Sequence, residues 1–216
     1  PRNDLALLIA KHSELKNHSI DEAISLARRA CELTNYRNAT FLDTLALAYS
    51  SAGRYSEAVN TAETALNIDP NLASAHIVLG AALLSKGDFQ KALVHTKRSL
   101  EIEPNNIDAK NNMAWILATS PDPNIRNPSD AIRLAQEVCY AINFKEPTVL
   151  DTLGAAYASD GRFTDAVDTA QKALNLADEA NQIQLKNTIE SHLMLYKQNK
   201  PYVESVKELI CDVNKP

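Results

Sequence analysis

The feature that most constrains this chain is an internal repeat with a period of 34 residues, which superposes residues 39–72 on residues 73–106. The superposed motifs are an apolar helical run, a glycine turn and a proline stop: Leu42-x2-Leu45-Ala46-x2-Tyr49 on His76-x2-Leu79-Gly80-x2-Leu83, Gly53-Arg-Tyr55 on Gly87-Asp-Phe89, and Ile68-Asp-Pro70 on Ile102-Glu-Pro104. A fixed period of this length indicates a stack of identical small modules, because each module alone is too small to bury its apolar face.

These motifs resemble the tetratricopeptide repeat, a family of paired antiparallel helices that stack into a superhelix. The resemblance implies an all-α fold, a right-handed superhelical α-solenoid of about five helix pairs plus a C-terminal capping helix or helices. We assign the array and the cap to consecutive ranges: the array to 1–180, with pairs at about 1–38, 39–72, 73–106, 107–146 and 147–180, and the capping helix and tail to 181–216.

The five glycines predict where helices turn and where they touch. Gly53, Gly87 and Gly161 follow the first helix of a pair, where a residue that tolerates positive φ ends a helix. Gly80 and Gly154 lie inside first helices, where we expect a neighbouring helix to approach closely. The glycines are thereby accounted for, and none remains for a phosphate-binding loop.

Helix starts are predicted from capping patterns. Asn127 followed by Pro128 is typical of an N-cap followed by the first helical residue. A threonine or serine with a carboxylate three positions later indicates a capping box. Three segments carry this pattern: Ser19-Ile-Asp-Glu22, Thr40-Phe-Leu-Asp43 and Thr148-Val-Leu-Asp151. The second and third predict that Asp43 and Asp151 bind free backbone N–H groups, and contact with a ligand is the alternative.

A longer repeat shifts the first part of the chain by 108 residues without a gap, and indicates that a block of two helix pairs was copied. The first and fourth pairs then share a long connection, which in the fourth pair is the loop 119–128. Long loops in compact arrays are disproportionately functional. After residue 178 the pattern changes, and we expect a capping helix at 180–198 and a short last helix from Tyr202 to Cys211.

In the family that this chain resembles, the first helix of each pair lines a concave groove that holds the partner. Residues of those helices that lie off the packing stripe are therefore our candidate groove residues. They are acidic, small or apolar: Asp43, Leu47, Ile77, Ala81, Leu84, Asp108, Asn111, Asn112, Trp115, Asp151 and Ala155. This set favours a protein or peptide partner that is basic or apolar. Only Asn111 and Asn112 match the residue types with which family members clamp a carboxylate, and the cations are absent.

Trp115 is the only tryptophan, and two interpretations stay open. Pro121 and Pro123 of the long loop would fold over its ring in the first. The ring would anchor a partner in the second, because tryptophan is enriched at binding hot spots.

Composition and spacing exclude several function classes. The net charge of −5 and the lack of a basic stripe argue against nucleic-acid binding. No apolar run has the length of a membrane span. Cys31 and Cys139 occupy matching helical positions and are expected to be buried, and no histidine has a second ligand at metal-binding spacing. No nucleophile, zinc or phosphate motif is present, so we predict no enzyme activity, no cofactor and no metal.

The sequence therefore favours a non-catalytic scaffold that binds a partner segment in its concave groove. The alternative is an accessory arm of a larger bacterial enzyme, such as a membrane glycosyltransferase. Three segments resemble the ends of large bacterial tetratricopeptide proteins: 114–123, 150–158 and 195–202. Self-association through the first pair or the tail is a third hypothesis. The compartment stays open between cytoplasmic and bacterial extracytoplasmic.

Overall fold

The computed structural model describes residues 2–11 and 19–204, which form eleven α-helices and no strand. In chain order they are α1 Arg2–Lys11, α2 Ile20–Leu33, α3 Ala39–Ser51, α4 Tyr55–Ile68, α5 Ala73–Ser85, α6 Phe89–Ile102, α7 Ile107–Thr119, α8 Pro128–Ala141, α9 Pro147–Ser159, α10 Phe163–Glu179 and α11 Ile183–Tyr196. The expected all-α solenoid of five helix pairs with a C-terminal capping helix is confirmed.

Both repeat lengths recur in the helix bounds. The helices α3 and α4, moved by 34 positions, coincide with α5 and α6. Moved by 108 positions, α2, α3 and the start of α4 coincide with α8, α9 and the start of α10. The left-handed residues after α2 and α8 also match, since φ is positive at Asn35 and Tyr36 and again at Asn143 and Phe144. The copied block is therefore a structural unit.

The first helices of successive pairs contact each other along the array, from α1 to α3 and onward to α9. No such contact joins successive second helices within the described part of the chain. First helices therefore form the inner, more closely spaced side of the curved stack. Alanines such as Ala58, Ala62 and Ala65 are fully buried between layers and allow the helices to approach closely. The last helix, α11, packs against α10 and touches α9.

The glycine predictions are confirmed. Gly53, Gly87 and Gly161 have φ of +71°, +81° and +78°. A Cβ at Gly80 would lie 2.8 Å from Thr96 Oγ1, and one at Gly154 would lie 3.6 Å from Tyr196. Neighbouring helices approach both positions, but only at Gly80 is the approach too close for a Cβ.

The capping predictions are confirmed at two helices and wrong at two. The Ser19 hydroxyl accepts from the Glu22 N–H at the start of α2, and the Asn127 side chain accepts from the Asp130 N–H at the start of α8. The N-cap of α3, however, is Asn38, whose side chain accepts from the Phe41 N–H, and α9 begins at Pro147.

The two threonines that were expected to cap α3 and α9 therefore lie inside the first helical turn. Thr40 and Thr148 accept at their carbonyls from the hydroxyls of Thr44 and Thr152, one turn later. Asp43 and Asp151 are consequently buried within the helices and do not act as cap partners.

The long loop of the fourth pair packs toward the third pair. Ile125 is buried with the core formed by the earlier pairs, and the Asp122 carboxylate accepts from the Gln90 side chain at 3.1 Å. The Asn127 N–H donates to Leu117 O, which brings the end of the loop back to α7. The loop thus covers the outer side of the array near α6.

The predicted last helix from Tyr202 to Cys211 lies mostly outside the described residues, and its first three residues are not helical. The chain leaves α11 through Asn199, which has φ of +54°, and the Lys200 N–H closes the turn onto Leu195 O at 3.0 Å. An asparagine in the left-handed region followed by Pro201 ends a helix and cannot continue it. We call residues 201–204 the strap.

Candidate partner-binding groove

The concave side of the array encloses an open cleft of about 970 Å³. Lys11 and Leu47, from α1 and α3, form one side, and Asp108, Asn111 and Thr148, from α7 and α9, form the other. Apolar side chains from helix ends and connections complete the lining: Ile107, Ile142, Val149 and Leu176. Three of the predicted groove residues, Leu47, Asp108 and Asn111, therefore line one space.

Among the predicted groove residues, two side-chain oxygens are buried and accept no hydrogen bond from the described residues. These oxygens are Oδ1 of Asn111 on α7, at the cleft, and Oδ1 of Asp43 on α3, two helix pairs earlier. Burial raises the pKa of the Asp43 carboxyl, while a hydrogen bond from Ser74 and the charge of Lys11 act in the opposite direction. A buried acceptor without a donor is costly, so both oxygens would gain from an external N–H.

The predicted groove residues of α5 are half-buried and partly accessible, namely Ile77, Ala81 and Leu84. Asn112 on α7 is also half-buried. Their role in partner contact stays a prediction.

The C-terminal part of the concave side is occupied by side chains of the capping helix. His192 of α11 donates its Nδ1–H to both carboxylate oxygens of Asp151, at 3.0 Å each. The side chains are almost fully buried, at 3% and 6% exposure. Tyr196, fully buried one turn later, lies against Gly154 and has its pKa raised by burial. The pair therefore ties the capping helix to α9.

Trp115 is covered by side chains from the chain's own C-terminal region. Its ring centre lies 5.8 Å from the rings of both His192 and Tyr202, and its Nε1–H donates to Glu204 Oε2 at 3.3 Å. The Glu204 backbone N–H in turn donates to Thr119 O, at the end of α7, at 2.9 Å. The strap therefore crosses the inner face of α7.

Two further predicted groove residues are inaccessible. Asp151 is held by His192, and Ala155 is fully buried with Ala118 in a cluster against which Trp115 packs. A partner cannot contact either residue in this structure. The capping helix covers Asp151, whereas Ala155 lies in the packing between α7, α8 and α9.

Two histidines and two cysteines away from the groove have structural surroundings. His76 donates its Nε2–H to Pro70 O at 3.1 Å, and its Nδ1 lies 3.0 Å from His95 Nδ1. Cys31 and Cys139 are fully buried, as expected, and burial raises the pKa of both thiols to about 11. Within residues 2–11 and 19–204, no three potential ligands among His, Cys, Asp and Glu could hold a metal ion. None of the described helices has the length and apolar content of a membrane span.

Stacked helix pairs around a concave groove define a tetratricopeptide-repeat solenoid. Comparison with solved structures agrees with this class. The chain is similar to the thermophilic tetratricopeptide protein TTC0263 of Thermus thermophilus, with a TM-score of 0.66 and 20% identity over 89% of this chain and 100% of that one. A profile of the family described as "Anaphase-promoting complex, cyclosome, subunit 3" matches residues 16–109.

Two curated relatives are 30% identical to parts of the chain. Heat shock protein STI1 of Saccharomyces cerevisiae matches over 99 residues, which are 46% of this chain and 17% of that protein. Small glutamine-rich tetratricopeptide repeat-containing protein 2 of Mycosarcoma maydis matches over 109 residues, which are 50% of this chain and 31% of that protein. The chain spans less than a third of either relative. These partial matches agree with the tetratricopeptide-repeat fold.

Proposed function

We propose that this chain is a non-catalytic scaffold that binds a segment of a protein partner in the open cleft between α1, α3, α7 and α9. The observation that carries the proposal is the cleft itself, which combines apolar lining with the unpartnered Asn111 Oδ1. A bound segment would bury Leu47 and donate a hydrogen bond to Asn111. Preformed concave sites with few polar groups are typical of ligand sites.

The charges around the cleft favour a partner that is apolar with basic positions. Its acidic members are Asp108, Glu146 and Glu179, and its basic members are Lys11 and Lys145. The excess of one acidic group is small, so apolar contact rather than net charge would supply most of the affinity. The alternative of an accessory arm of a larger bacterial enzyme stays a sequence-based hypothesis, since no contact of the described residues bears on it.

The test uses peptides selected from a random displayed library against the full chain, with affinities measured by calorimetry. We expect Leu47→Lys to weaken binding at least about tenfold, because it places a charge on the apolar wall. Val94→Lys is the matched control, since Val94 is an exposed aliphatic residue on the second helix α6. Selected peptides that bind both variants as tightly as the parent would show that the cleft is not the binding site.

A further inference from the structure

The strap contacts the inner face of α7 as an extended ligand would. Tyr202 and Glu204 face the groove, whereas Val203 between them is exposed, which is the alternation of an extended backbone. The Tyr202 ring lies 4.1 Å from the His192 ring and 5.8 Å from Trp115. An aromatic slot formed by two rings therefore holds one side chain of the strap.

The second contact is polar and directional. The Glu204 carboxylate accepts from the indole N–H, and the Glu204 N–H donates to Thr119 O. Thr119 is the last residue of α7, where carbonyls have no partner inside the helix. The site therefore offers one donor for a carboxylate and one acceptor for a backbone N–H, at a fixed distance from the aromatic slot.

None of these contacts requires that the occupant belong to the same chain. Burial, the charge of Glu204 and the hydrogen bond to it raise the pKa of Tyr202 to about 12, but the strap as a whole remains partly exposed. The helix before it is anchored separately through the buried residues Ile189, His192 and Tyr196. The strap can therefore leave the groove while α11 stays in place.

We propose that the inner face of α7, together with His192 of α11, is a second peptide site, specific for an extended segment with an aromatic residue two positions before an acidic residue. Residues 201–204 occupy this site from within the chain. A partner with the same pattern competes with the strap, whose short tether gives it a high effective concentration. The inference extends the proposed function to a different part of the concave face.

The probe is a fluorescein-labelled peptide with the sequence of residues 199–206, titrated into the full chain by fluorescence anisotropy. In the double variant Tyr202→Ser/Glu204→Gln the internal competitor is weakened, so we expect the peptide to bind about tenfold more tightly than to the parent. Adding Trp115→Leu to this variant should abolish the gain. A control peptide with the same two substitutions should not bind to any of these proteins.

The single tryptophan gives an independent readout. Opening the strap should increase the quenching of Trp115 fluorescence by acrylamide, and added peptide should reverse the increase. If the double variant folds poorly, Glu204→Gln alone replaces it, because this change keeps the size of the side chain. The single variant should show a smaller effect in the same direction. Circular dichroism monitors the fold of each variant.

Three results would overturn the inference. These are equal peptide affinity in the parent and opened chains, peptide binding that persists after Trp115→Leu, and peptide binding that is lost with Leu47→Lys. The last result would place the peptide in the open cleft, and would therefore support the proposed function while rejecting the second site.

Discussion

Asp43 and Asp151 occupy the same position in the two copies of the duplicated block, yet their surroundings differ. Both are buried on the inner face of a first helix. Asp151 is matched by His192 of the capping helix, whereas Asp43 keeps one oxygen without a donor and has a pKa raised by burial. The position of a residue in the repeat therefore sets its burial, and the next element along the array decides whether its charge is compensated.

The same contrast separates the two halves of the groove. Near Asp43 the next helix is α5, an ordinary first helix, and the concave side beyond it stays open. Near Asp151 the next helix is α11, which brings His192, Tyr196 and then the strap. The C-terminal half is thus covered by the elements that end the array, whereas the cleft in the other half stays open.

The largest expected effect comes from removing residues 181–216. This deletion removes Ile189, Leu193 and Tyr196 and exposes the face against which they pack. Burial of these three side chains contributes roughly 5 kcal/mol to stability in total. The deletion also leaves Asp151 without its partner His192. Because contacts in a repeat array are between neighbours, we expect α9 and α10 to lose amide protection while α3 to α6 keep theirs.

Hydrogen–deuterium exchange measures both halves in one experiment, and a chain that ends at Glu204 is the control. A truncated protein that stays monomeric, fully helical and equally protected at α9 would reject the capping role of α11.

The next effect is that of Asp151→Ala, which leaves His192 Nδ1–H buried without an acceptor. We expect a loss of about 3 kcal/mol in the free energy of unfolding, measured by urea denaturation. The matched change Asp43→Ala should cost much less, because Asp43 loses a hydrogen bond from Ser74 and the attraction of the exposed Lys11 but no buried pair. A double-mutant cycle with His192→Ala isolates the coupling of the pair. Equal losses for Asp43→Ala and Asp151→Ala would remove the distinction between the two aspartates.

The helix pairs could be predicted from the sequence because the residues that end each helix act locally. Gly53, Gly87 and Gly161 end first helices through their own φ, and both repeat lengths reappear in the helix bounds. The capping boxes at Thr40 and Thr148 were wrong because the same four-residue pattern also fits the first turn of a helix that begins earlier. Asn38, a stronger N-cap, precedes Thr40 and gave the correct register.

The contents of the groove depend on contacts between residues far apart in the chain. His192 lies 41 positions from Asp151, and Glu204 lies 89 positions from Trp115. Neither contact has a local signal, since each depends on how α11 packs and where the chain leaves it. The one available indicator was Asn199-Lys-Pro201, which ends α11 and argues against continuing a helix from Tyr202.

The smallest effect should be a gain in stability from Asp43→Asn. The neutral amide keeps an oxygen for Ser74 and avoids the burial of a charge, so we expect a small gain in the free energy of unfolding at pH 7. Because burial raises the folded-state pKa, protonation of Asp43 favours the folded parent. That contribution is complete below the unfolded pKa of about 3.9 and is lost as pH rises through the folded pKa.

The advantage of the Asp43→Asn variant over the parent should therefore shrink as pH falls from 7 toward 4. Thermal unfolding of both proteins across this range provides the measurement, with other titrating groups cancelling between them. The charge at Asp43 would prove to be well solvated if the difference stayed constant with pH. In that event the unpartnered Oδ1 would no longer distinguish the open half of the groove from the closed one.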